Sequence, residues 1–525
     1  MFLHDIVANA ATAEPDDLAL VTDNERWTFA QLMEHIASFA ATLRTLTSPG
    51  DRVVIVSENT AAMVVALYAV PLSGAIATFA NTRHTPNEIA ELVSSTTPSV
   101  IAISEALDAS TGTELHRAID ANGPSPVFVQ LESLLRPSSA LPSGEGIESL
   151  QSEHRGRDIH TPTPQDCAWL IHTSGTTGKA KGVILSHRSL IAATLNTAIG
   201  RPMAPDDVYL MPFPLFHVAA YNVLHTHLRR RPIILMKGFD AGEALRLIAS
   251  EGVTNCSLAP TMLAMLMDHP DRSAESLDGL RQISYGASAM PRDLLIRVST
   301  ELPHCGLAQG YGMTELSGNA VFLTPEDHRR ASGERPELLA AAGRPGPIVK
   351  LRIVDDDDRP VARGEVGEIL VRGDQVCDGY WNAPEETSEA IVDGWLHTGD
   401  VGMIDDDGYL HIVDRKKDII ISGGENVASR EVEDLLSTHP EVASVAVVGV
   451  PDDRWGELVA AVVVSGPAWS NEDDLIEWTR GRIAGFKRPR LVFVTDALPL
   501  NASGKVDKAA LRRRLRQGLS EGQGL

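Results

Sequence analysis

Residues 173–182 read T-S-G-T-T-G-K-A-K-G, and a short apolar run lies on each side of this stretch. The runs at 168–171 and 183–185 predict two strands, and Ser186 predicts the N-cap of a helix after the second strand. Glycines let a backbone approach a ligand closely, hydroxyls donate hydrogen bonds, and lysines offset negative charge. The stretch therefore predicts a strand, loop and strand hairpin that binds a polyphosphate. The residues that we expect to contact phosphate are Thr173, Ser174, Gly175, Thr176, Thr177, Gly178 and Lys179.

The loop differs from a Walker A loop, which requires G-x-x-x-x-G-K-[ST] between a strand and a helix. Gly175 and Gly178 are only three residues apart, and Ala180 follows Lys179. A predicted strand comes next, so no helix dipole faces the phosphates. The sequence therefore favours a hairpin wrapped around the phosphates over the fold of a P-loop NTPase.

The sequence before the loop predicts alternating helices and strands. Thr28 and Gln31 form a capping-box pattern ahead of apolar residues at helical spacing. Short β-rich runs occupy residues 52–57 and 100–104. This alternation is typical of an α/β domain with a largely parallel sheet.

One uncharged stretch, residues 60–82, is long enough to cross a bilayer. Pro71 and Gly74 interrupt it, and Asn59 and Asn81 bound it. We therefore expect a buried helix that turns into a buried strand, and no integral membrane segment.

Size and composition limit the classes of protein that this chain can represent. Its 525 residues exceed what one hydrophobic core usually supports, so we expect two or more domains. The net charge of -24 argues against a nucleic-acid partner, because phosphate backbones are bound by clustered Lys and Arg. The four cysteines form no C-x-x-C pair, and the N-terminus lacks the basic segment of a signal peptide. These features predict a reduced, cytoplasmic protein.

The pattern changes in the last fifth of the chain. Ser429 is placed to cap a short helix, and residues 442–450 and 457–464 have the composition of strands. The expected fold class is α/β, with a large N-terminal domain of α/β subdomains and a small C-terminal α+β domain. The expected domains are residues 1–414 and 415–525.

Four further motifs follow the loop in order. They are Y-G-M-T-E at 311–315, T-G-D at 398–400, D-R-K-K-D at 414–418 and S-G-K at 503–505. With the loop, this ordered set resembles the adenylate-forming superfamily of acyl-CoA synthetases, carrier-protein adenylation domains and luciferases. The resemblance covers nearly the whole chain. It implies that ATP and a carboxylic acid bind between a large domain and a small mobile one, form an acyl adenylate, and pass the acyl group to a thiol.

The resemblance also implies nucleotide-binding roles. Tyr311 matches the tyrosine that lies against adenine, Thr314 the threonine at the α-phosphate, and Glu315 the glutamate that helps to hold Mg²⁺. Asp400 and Arg415 match two contacts to the ribose. A carboxylate and a hydroxyl are oxygen ligands of the kind that Mg²⁺ prefers.

Two lysines have separate implied roles. Lys505 resembles the lysine that completes adenylation by reaching the acyl oxygen and the α-phosphate. The acid is already ionised at neutral pH, so the lysine aligns reactants and neutralises charge rather than acting as a base. Lys417 matches the hinge about which the small domain rotates before thioester formation. The residues implied in coenzyme A (CoA) binding are Gly423, Gly424, Trp455, Phe486, Arg488 and Arg490.

The acyl pocket is implied by the segment F-P-L-F-H-V-A-A-Y-N at 213–222. His217 stands where amino-acid-activating domains place an aspartate, so an α-amino acid substrate is disfavoured, and His217 joins Lys505, Thr314 and Glu315 as a candidate catalytic residue. The small, fairly apolar set of pocket residues suits a fatty or aryl acid. The pocket residues are His217, Tyr221, Gly286, Ala287, Gly312, Gly318 and Asn319.

Three functions remain open on the sequence alone. The first is an acid-CoA ligase that uses ATP, Mg²⁺ and CoA and releases AMP and pyrophosphate. The second is an acyl-AMP ligase that delivers the acyl group to an acyl carrier protein. No insertion of the kind found in acyl-AMP ligases lies between Gly343 and Asp400, which favours the first. The third is a catalytically silent nucleotide sensor, against which the retained Lys505, Glu315 and Asp400 argue.

Overall fold

The structure is a computed structural model. The residues that it describes are 1–107, 109–120, 126–135, 162–174, 180–273, 275–286, 290–452, 454–466, 469–500 and 505–521.

The chain folds into two compact units. The first comprises Met1–Leu351 and Val371–Leu396, and the second comprises Arg352–Leu370 and His397–Leu525. The boundary expected between Asp414 and Arg415 lies inside the second unit and stays a prediction.

The helices alternate with strands along the chain, as the sequence predicted. Those of the first unit are α1 (Leu3–Ala13), α2 (Phe29–Arg44), α3 (Ala61–Ser73), α4 (Pro86–Thr96), α5 (Ala109–Asp120), α6 (His187–Gly200), α7 (Tyr221–Leu228), α8 (Ala241–Ser250), α9 (Pro260–Asp268), α10 (Arg292–Glu301), α11 (Pro325–Ala331) and α12 (Pro384–Ala390). Those of the second unit are α13 (Ser429–Leu436), α14 (Glu472–Trp478) and α15 (Lys508–Glu521).

Two of these helices follow directly from local sequence. The Thr28 hydroxyl accepts from the Gln31 amide, and the Gln31 side chain accepts from the Thr28 amide, so the predicted capping box begins α2. Helix α3 is buried on every side and ends at Gly74, which adopts a left-handed conformation (φ 90°). The expected buried helix is confirmed, and no helix among the described residues is long and apolar enough to cross a membrane.

A largely parallel sheet contains the chain segment that leads to the phosphate loop. Its strand order is β6-β5-β3-β4-β7-β8, and all neighbours are parallel except β7 and β8. Because α3 packs against β4 and β7 of this sheet, the hairpin is anchored in the hydrophobic core. The strands are β3 (Arg52–Val56), β4 (Ile76–Ala80), β5 (Val100–Ile103), β6 (Val127–Gln130), β7 (Cys167–Ser174) and β8 (Ala180–Ser186).

A second sheet of the first unit carries the candidate acyl pocket. Its order is β15-β14-β13-β12-β11-β9-β10-β1-β2, with a parallel centre from β1 to β13 and antiparallel strands at both edges. Its strands are β1 (Leu18–Val21), β2 (Arg26–Thr28), β9 (Tyr209–Met211), β10 (Ile233–Leu235), β11 (Asn255–Leu258), β12 (Gln282–Gly286), β13 (Gly306–Met313), β14 (Gly318–Leu323) and β15 (Arg344–Pro345).

The remaining strands form two smaller sheets, most of whose residues lie in the second unit. One has the order β16-β17-β19-β18 with β20 on β19, and the other β22-β21-β24-β23 with β25 on β24. The strands are β16 (Lys350–Val354), β17 (Gly367–Arg372), β18 (Ile391–Val392), β19 (Trp395–Ile404), β20 (Leu410–Arg415), β21 (Ile420–Ser422), β22 (Glu425–Val427), β23 (Val442–Asp452), β24 (Gly456–Ser465) and β25 (Leu491–Thr495).

One local prediction of the second unit is wrong. Ser429 is the first residue of α13 rather than its cap, and the residue before it, Ala428, makes no side-chain cap. Instead Asp414 Oδ2 accepts from the Arg430 amide at 3.2 Å and from the Ser429 hydroxyl at 2.7 Å. A carboxylate distant in sequence therefore satisfies the helix N-terminus.

Candidate active site

The predicted phosphate hairpin is present in the first unit. Strands β7 and β8 are antiparallel, with Thr173 opposite Lys181 and Ser174 opposite Ala180. Ser186 caps α6 by accepting from the Ser189 amide, as the sequence predicted. The loop residues between the strands lie outside the described residues, as does the side chain of Ser174; these loop residues are Gly175, Thr176, Thr177, Gly178 and Lys179.

A segment that the motif analysis missed lies along β8. We call residues 377–381 (C-D-G-Y-W) the strap. The Ile184 amide donates to Gly379 O at 2.9 Å, and the Trp381 amide donates to Gly182 O at 2.7 Å. Gly379 has a φ of 116°, a conformation that glycine adopts at no steric cost. The strap therefore continues the hairpin sheet on its outer edge.

The strap also holds Glu315, the candidate Mg²⁺ ligand. The Cys377 amide donates to the Glu315 carbonyl at 2.8 Å, and the Tyr380 hydroxyl donates to Glu315 Oε1 at 3.1 Å. The ammonium of Lys181 lies 5.2 Å from the centre of the Tyr380 ring, which is a cation–π contact. Burial and the negative charge of Glu315 raise the pKa of Tyr380 far above its usual range, so its hydroxyl stays a donor. Tyr380 therefore joins the phosphate hairpin to the T-E motif.

The candidate acyl-pocket residues meet where β12, β13 and β14 approach one another. Gly286 pairs with Gly310, and Gly312 pairs with Asn319. A Cβ on Gly312 would collide with the Gly318 carbonyl oxygen, so only glycine allows this strand spacing. The structure therefore brings Gly286, Gly312, Gly318 and Asn319 together, whereas Ala287 lies outside the described residues.

Two further predicted pocket residues come from the segment around α7. The ring of Tyr221 packs on Gly318, with ring carbons 3.0 Å from the position of a Cβ on that glycine. His217 precedes α7, is half-buried, and its ring is edge-on to Phe216 at 4.7 Å. Tyr311 lies on β13 opposite Val321, and Thr314 begins the short turn that contains Glu315.

A buried glutamine also escaped the sequence reasoning. Gln375 is fully buried, and its amide group donates to the carbonyls of Leu316 and Asn319 at 3.0 and 3.1 Å. Its oxygen accepts from Asn196 on α6 at 2.9 Å. Gln375 therefore fixes the turn between β13 and β14, which contains the T-E motif and joins two strands that carry pocket residues.

Within the second unit, three predicted site residues form one charged cluster. Asp400 is buried on β19 and accepts from Arg415 Nε on β20 at 2.7 Å. Desolvation and the nearby Arg415 lower the pKa of Lys505, while Asp400 raises it, so all three groups lie within electrostatic range. Lys505 as a whole residue is nevertheless exposed. The cluster brings the candidate adenylation lysine to the candidate ribose contacts.

The candidate hinge lies in a short turn of the second unit, Lys416–Asp418. Lys417 is exposed, and its carbonyl accepts from Arg512 of α15 at 3.2 Å. Arg512 also forms a 2.7 Å ion pair with Asp418. The side chain of Lys417 is thus outside the packed core, and its role as a hinge stays a prediction.

The candidate CoA residues divide into two groups. Gly423 donates its amide to the Trp455 carbonyl at 2.7 Å and adopts a φ of 64°, and a Cβ there would meet the indole at 2.9 Å. The guanidinium of Arg490 lies 4.2 Å from the centre of the Trp455 ring. These three residues and the neighbouring Gly424 form an accessible aromatic and cationic patch.

The other two candidate CoA residues are placed differently. Arg488 donates to the Thr479 hydroxyl and the Ile476 carbonyl at the end of α14, at 3.1 and 2.9 Å. Phe486 is exposed, and the centre of its ring lies 5.7 Å from the ammonium of Lys487. Arg488 therefore has a structural partner that sequence reasoning did not foresee.

The described residues suit an Mg²⁺ ion that binds together with ATP, rather than one held by protein ligands alone. No group of three His, Cys, Asp or Glu side chains that could hold a metal occurs among the described residues. Mg²⁺ held with ATP needs only one or two carboxylates, because phosphates and water complete its shell. Glu315 offers one carboxylate, and the Tyr380 hydroxyl fixes its orientation.

Comparisons with known proteins identify the family of this chain. The family model for AMP-binding enzymes matches residues 7–381, and the family model for the C-terminal domain of AMP-binding enzymes matches residues 431–505. The chain therefore belongs to the AMP-binding enzyme family, within the adenylate-forming superfamily and its acyl-CoA synthetases. This confirms the resemblance, and it confirms the α/β fold class with a larger N-terminal and a smaller C-terminal domain.

Three relatives illustrate the range of the family. The feruloyl-CoA synthase of an Amycolatopsis species is 36% identical over 497 residues, 93% of this chain and 94% of that protein. The fatty acid–[acyl-carrier-protein] ligase ScoC of Streptomyces coeruleorubidus is 32% identical over 96% of this chain and 94% of that protein. The O-succinylbenzoate coenzyme A synthetase (MenE) of Bacillus subtilis, in complex with ATP and magnesium ion, has a TM-score of 0.82 at 28% identity, covering 97% of this chain and 99% of that one.

Proposed function

We infer that the chain is an ATP-dependent acid-CoA ligase. It activates a fatty or aryl carboxylic acid as an acyl adenylate and then forms the CoA thioester, with release of AMP and pyrophosphate. The observation that carries this function is the cluster of Lys505, Asp400 and Arg415, because it unites a cation for the reacting phosphate with the groups that suit a ribose.

The first half-reaction is a displacement at phosphorus. A carboxylate oxygen of the acid attacks the α-phosphorus of ATP, and the bond to the bridging oxygen of pyrophosphate breaks. Lys505 contributes a positive charge beside the transferring group, where Thr314 is the proposed phosphate contact. Loss of a preorganised donor of this kind commonly lowers rates on the order of 10²-fold to 10³-fold.

The second half-reaction transfers the acyl group to sulfur. The CoA thiolate attacks the acyl carbon, and AMP leaves with its oxygen. We propose that rotation about Lys417 exchanges Lys505 for the face that contains Gly423, Gly424 and Trp455. Arginine grips phosphate and stacks on bases, so Arg490 on Trp455 suits the nucleotide of CoA.

Mg²⁺ at Glu315 and a cytoplasmic location complete the proposal. Mg²⁺ bound with ATP would neutralise phosphate charge, and its protein ligand would be the Glu315 carboxylate. All four cysteines are free thiols, which fits a reducing compartment.

Product analysis tests this function. Incubation with ATP, CoA and a panel of carboxylic acids should yield AMP, pyrophosphate and acyl-CoA in equal amounts. Formation of ADP, or acyl-AMP that persists when CoA is present, would contradict it.

The second candidate function is acyl transfer to a carrier protein, which ScoC, by its name, performs. A phosphopantetheinyl carrier protein offered beside CoA separates the two. Acylation of the carrier at a higher kcat/KM than that of CoA would favour the second candidate.

A further inference from the structure

Buried polar groups without partners lie beside the candidate acyl pocket. The Tyr221 hydroxyl, His225 Nε2 and Ser317 Oγ are each inaccessible to solvent and have no hydrogen-bond partner in the part of the chain that the structure describes. Tyr221 is 3% exposed, and His225 and Ser317 are fully buried. Buried polar side-chain atoms nearly always have a partner, so three such atoms indicate a ligand or trapped water.

The three groups belong to one place in the fold. Tyr221 and His225 are four residues apart on α7, so their side chains share one helix face. The Tyr221 ring packs on Gly318, and Ser317 directly precedes that glycine. This is the turn between β13 and β14, the two strands on which the pocket residues Gly312 and Asn319 lie.

A buried arginine lies next to this group. Arg201 is 6% exposed and donates to Ser257 Oγ at 3.0 Å, Asn222 Oδ1 at 2.5 Å and His225 Nδ1 at 3.4 Å. All of these acceptors are neutral, and within the described ranges Arg201 makes no ion pair with a carboxylate. The carbonyl end of α6 offers only a partial negative charge. A guanidinium is always charged, so its field favours a negative or strongly polar group nearby.

The arginine also fixes the protonation state of His225. The Arg201 guanidinium lies 3.4 Å from Nδ1 of His225, and the His225 ring also forms a hydrogen bond with the Arg201 backbone. Burial and then the charge of Arg201 lower the pKa of His225 well below its ordinary value, so the ring stays neutral. His225 Nε2 is a buried ring nitrogen with no hydrogen-bond partner among the described residues.

We propose that the acid carries an oxygen acceptor on its acyl group, remote from the reacting carboxyl, and that Tyr221, His225 and Ser317 bind this oxygen. The proposal rests on the acid-ligase function above and names the substrate class of the same pocket. An unsubstituted alkyl chain would leave the three polar groups unpaired. Sites built to hydrogen-bond a substrate oxygen reject analogues that lack it, so we expect a preference on the order of 10²-fold or more.

Matched acid pairs test the proposal by pyrophosphate release in the presence of ATP and CoA. The pairs are cinnamic and 4-hydroxycinnamic acid, cyclohexanepropanoic and 4-oxocyclohexanepropanoic acid, and decanoic and 10-hydroxydecanoic acid. The oxygen-bearing member should have the higher kcat/KM in at least one pair. Equal or better use of the oxygen-free member in all three pairs would overturn the proposal.

Variants separate oxygen recognition from packing. Tyr221→Phe keeps the ring on Gly318 but removes the hydroxyl. In the acid pair that shows the preference, it should reduce the ratio of kcat/KM for the oxygen-bearing acid to kcat/KM for the oxygen-free acid about tenfold, the effect of one hydrogen bond. A packing role alone would lower kcat/KM for both acids and leave the ratio unchanged, which would contradict the assignment. Tyr68→Phe is the control, because its buried hydroxyl already pairs with His227 at 2.8 Å; the ratio should not change.

Failure of the ligase function has a different signature. If no acid releases pyrophosphate, the proposed function itself fails, and calorimetric titration of the same acid pairs still decides whether the oxygen is recognised. Tighter binding of the oxygen-bearing acid, lost in Tyr221→Phe, would support the subsite. Equal affinities within each pair would refute it.

Discussion

Replacement of Tyr380 by phenylalanine removes a single hydroxyl from the candidate active site. The hydroxyl donates to Glu315 Oε1 at 3.1 Å, while the Tyr380 amide is held separately by the Thr387 hydroxyl at 2.9 Å. The phenyl ring remains beneath Lys181, so the cation–π contact survives. We therefore expect the strap to stay in place and the Glu315 carboxylate to lose orientation.

The size of the effect follows from that one hydrogen bond. Hydrogen bonds to charged groups contribute about 1.5–3 kcal/mol, and the half-buried site and the 3.1 Å distance place this one near the lower end. About 1.5 kcal/mol corresponds to roughly a tenfold loss in rate or affinity. Tyr380→Leu also removes the cation–π contact, worth a further ~0.5–1 kcal/mol, so its loss should be larger.

The assay is acid-dependent exchange of pyrophosphate into ATP at varied Mg²⁺. If Glu315 orients Mg²⁺ with ATP, Tyr380→Phe should lower kcat/KM for ATP about tenfold and raise the Mg²⁺ concentration needed for half-maximal rate. Thioester formation from supplied acyl-AMP should change little, because that step no longer needs the triphosphate.

Tyr68→Phe is again the matched control, since it loses a buried hydroxyl that pairs with His227. Unchanged ATP and Mg²⁺ kinetics in Tyr380→Phe would refute the positioning role. Equal losses in Tyr68→Phe would show that the effect reports stability rather than orientation, and thermal melting of both variants would confirm that reading.

Three other predictions concern different parts of the chain. Lys505→Ala should abolish adenylate formation but largely spare thioester formation from supplied acyl-AMP, with the exposed Lys237→Ala as control; equal loss of both half-reactions would contradict separate roles for the two domain faces. Arg490→Ala removes the cation from Trp455 and should raise the KM for CoA several-fold while pyrophosphate exchange stays normal, and a normal KM would exclude Arg490 from the CoA site. Burial lowers the pKa of His227 from 6.5 to about 4, so the unfolded chain binds a proton that the folded one excludes. The stability that depends on a neutral His227 is complete above pH 6.5 and is lost as the pH falls towards 4; the free energy of unfolding is lower by about 2 kcal/mol near pH 5. In urea unfolding, the free energy of unfolding of His227→Gln should therefore fall less than that of the unsubstituted chain between about pH 7.5 and 5.

Features encoded by neighbouring residues were predictable. The capping box at Thr28, the uncharged run 60–82 and the apolar runs around the phosphate loop each gave the correct helix or strand. Periodicity, caps and turns depend on groups a few residues apart, so one sequence contains all that these predictions need. Such patterns failed at Ser429, where Asp414 caps α13 from outside the helix.

The sequence by itself determined the α/β class, the order of the motifs and the family to which the chain belongs. Only the tertiary structure decided how the site is supported. Tyr380 and Glu315 are 65 residues apart, Gln375 and Asn196 are 179 apart, and Arg201 and Ser257 are 56 apart. No local pattern encodes such contacts, because each forms only when separate strands and helices pack and leave a polar group in need of a partner.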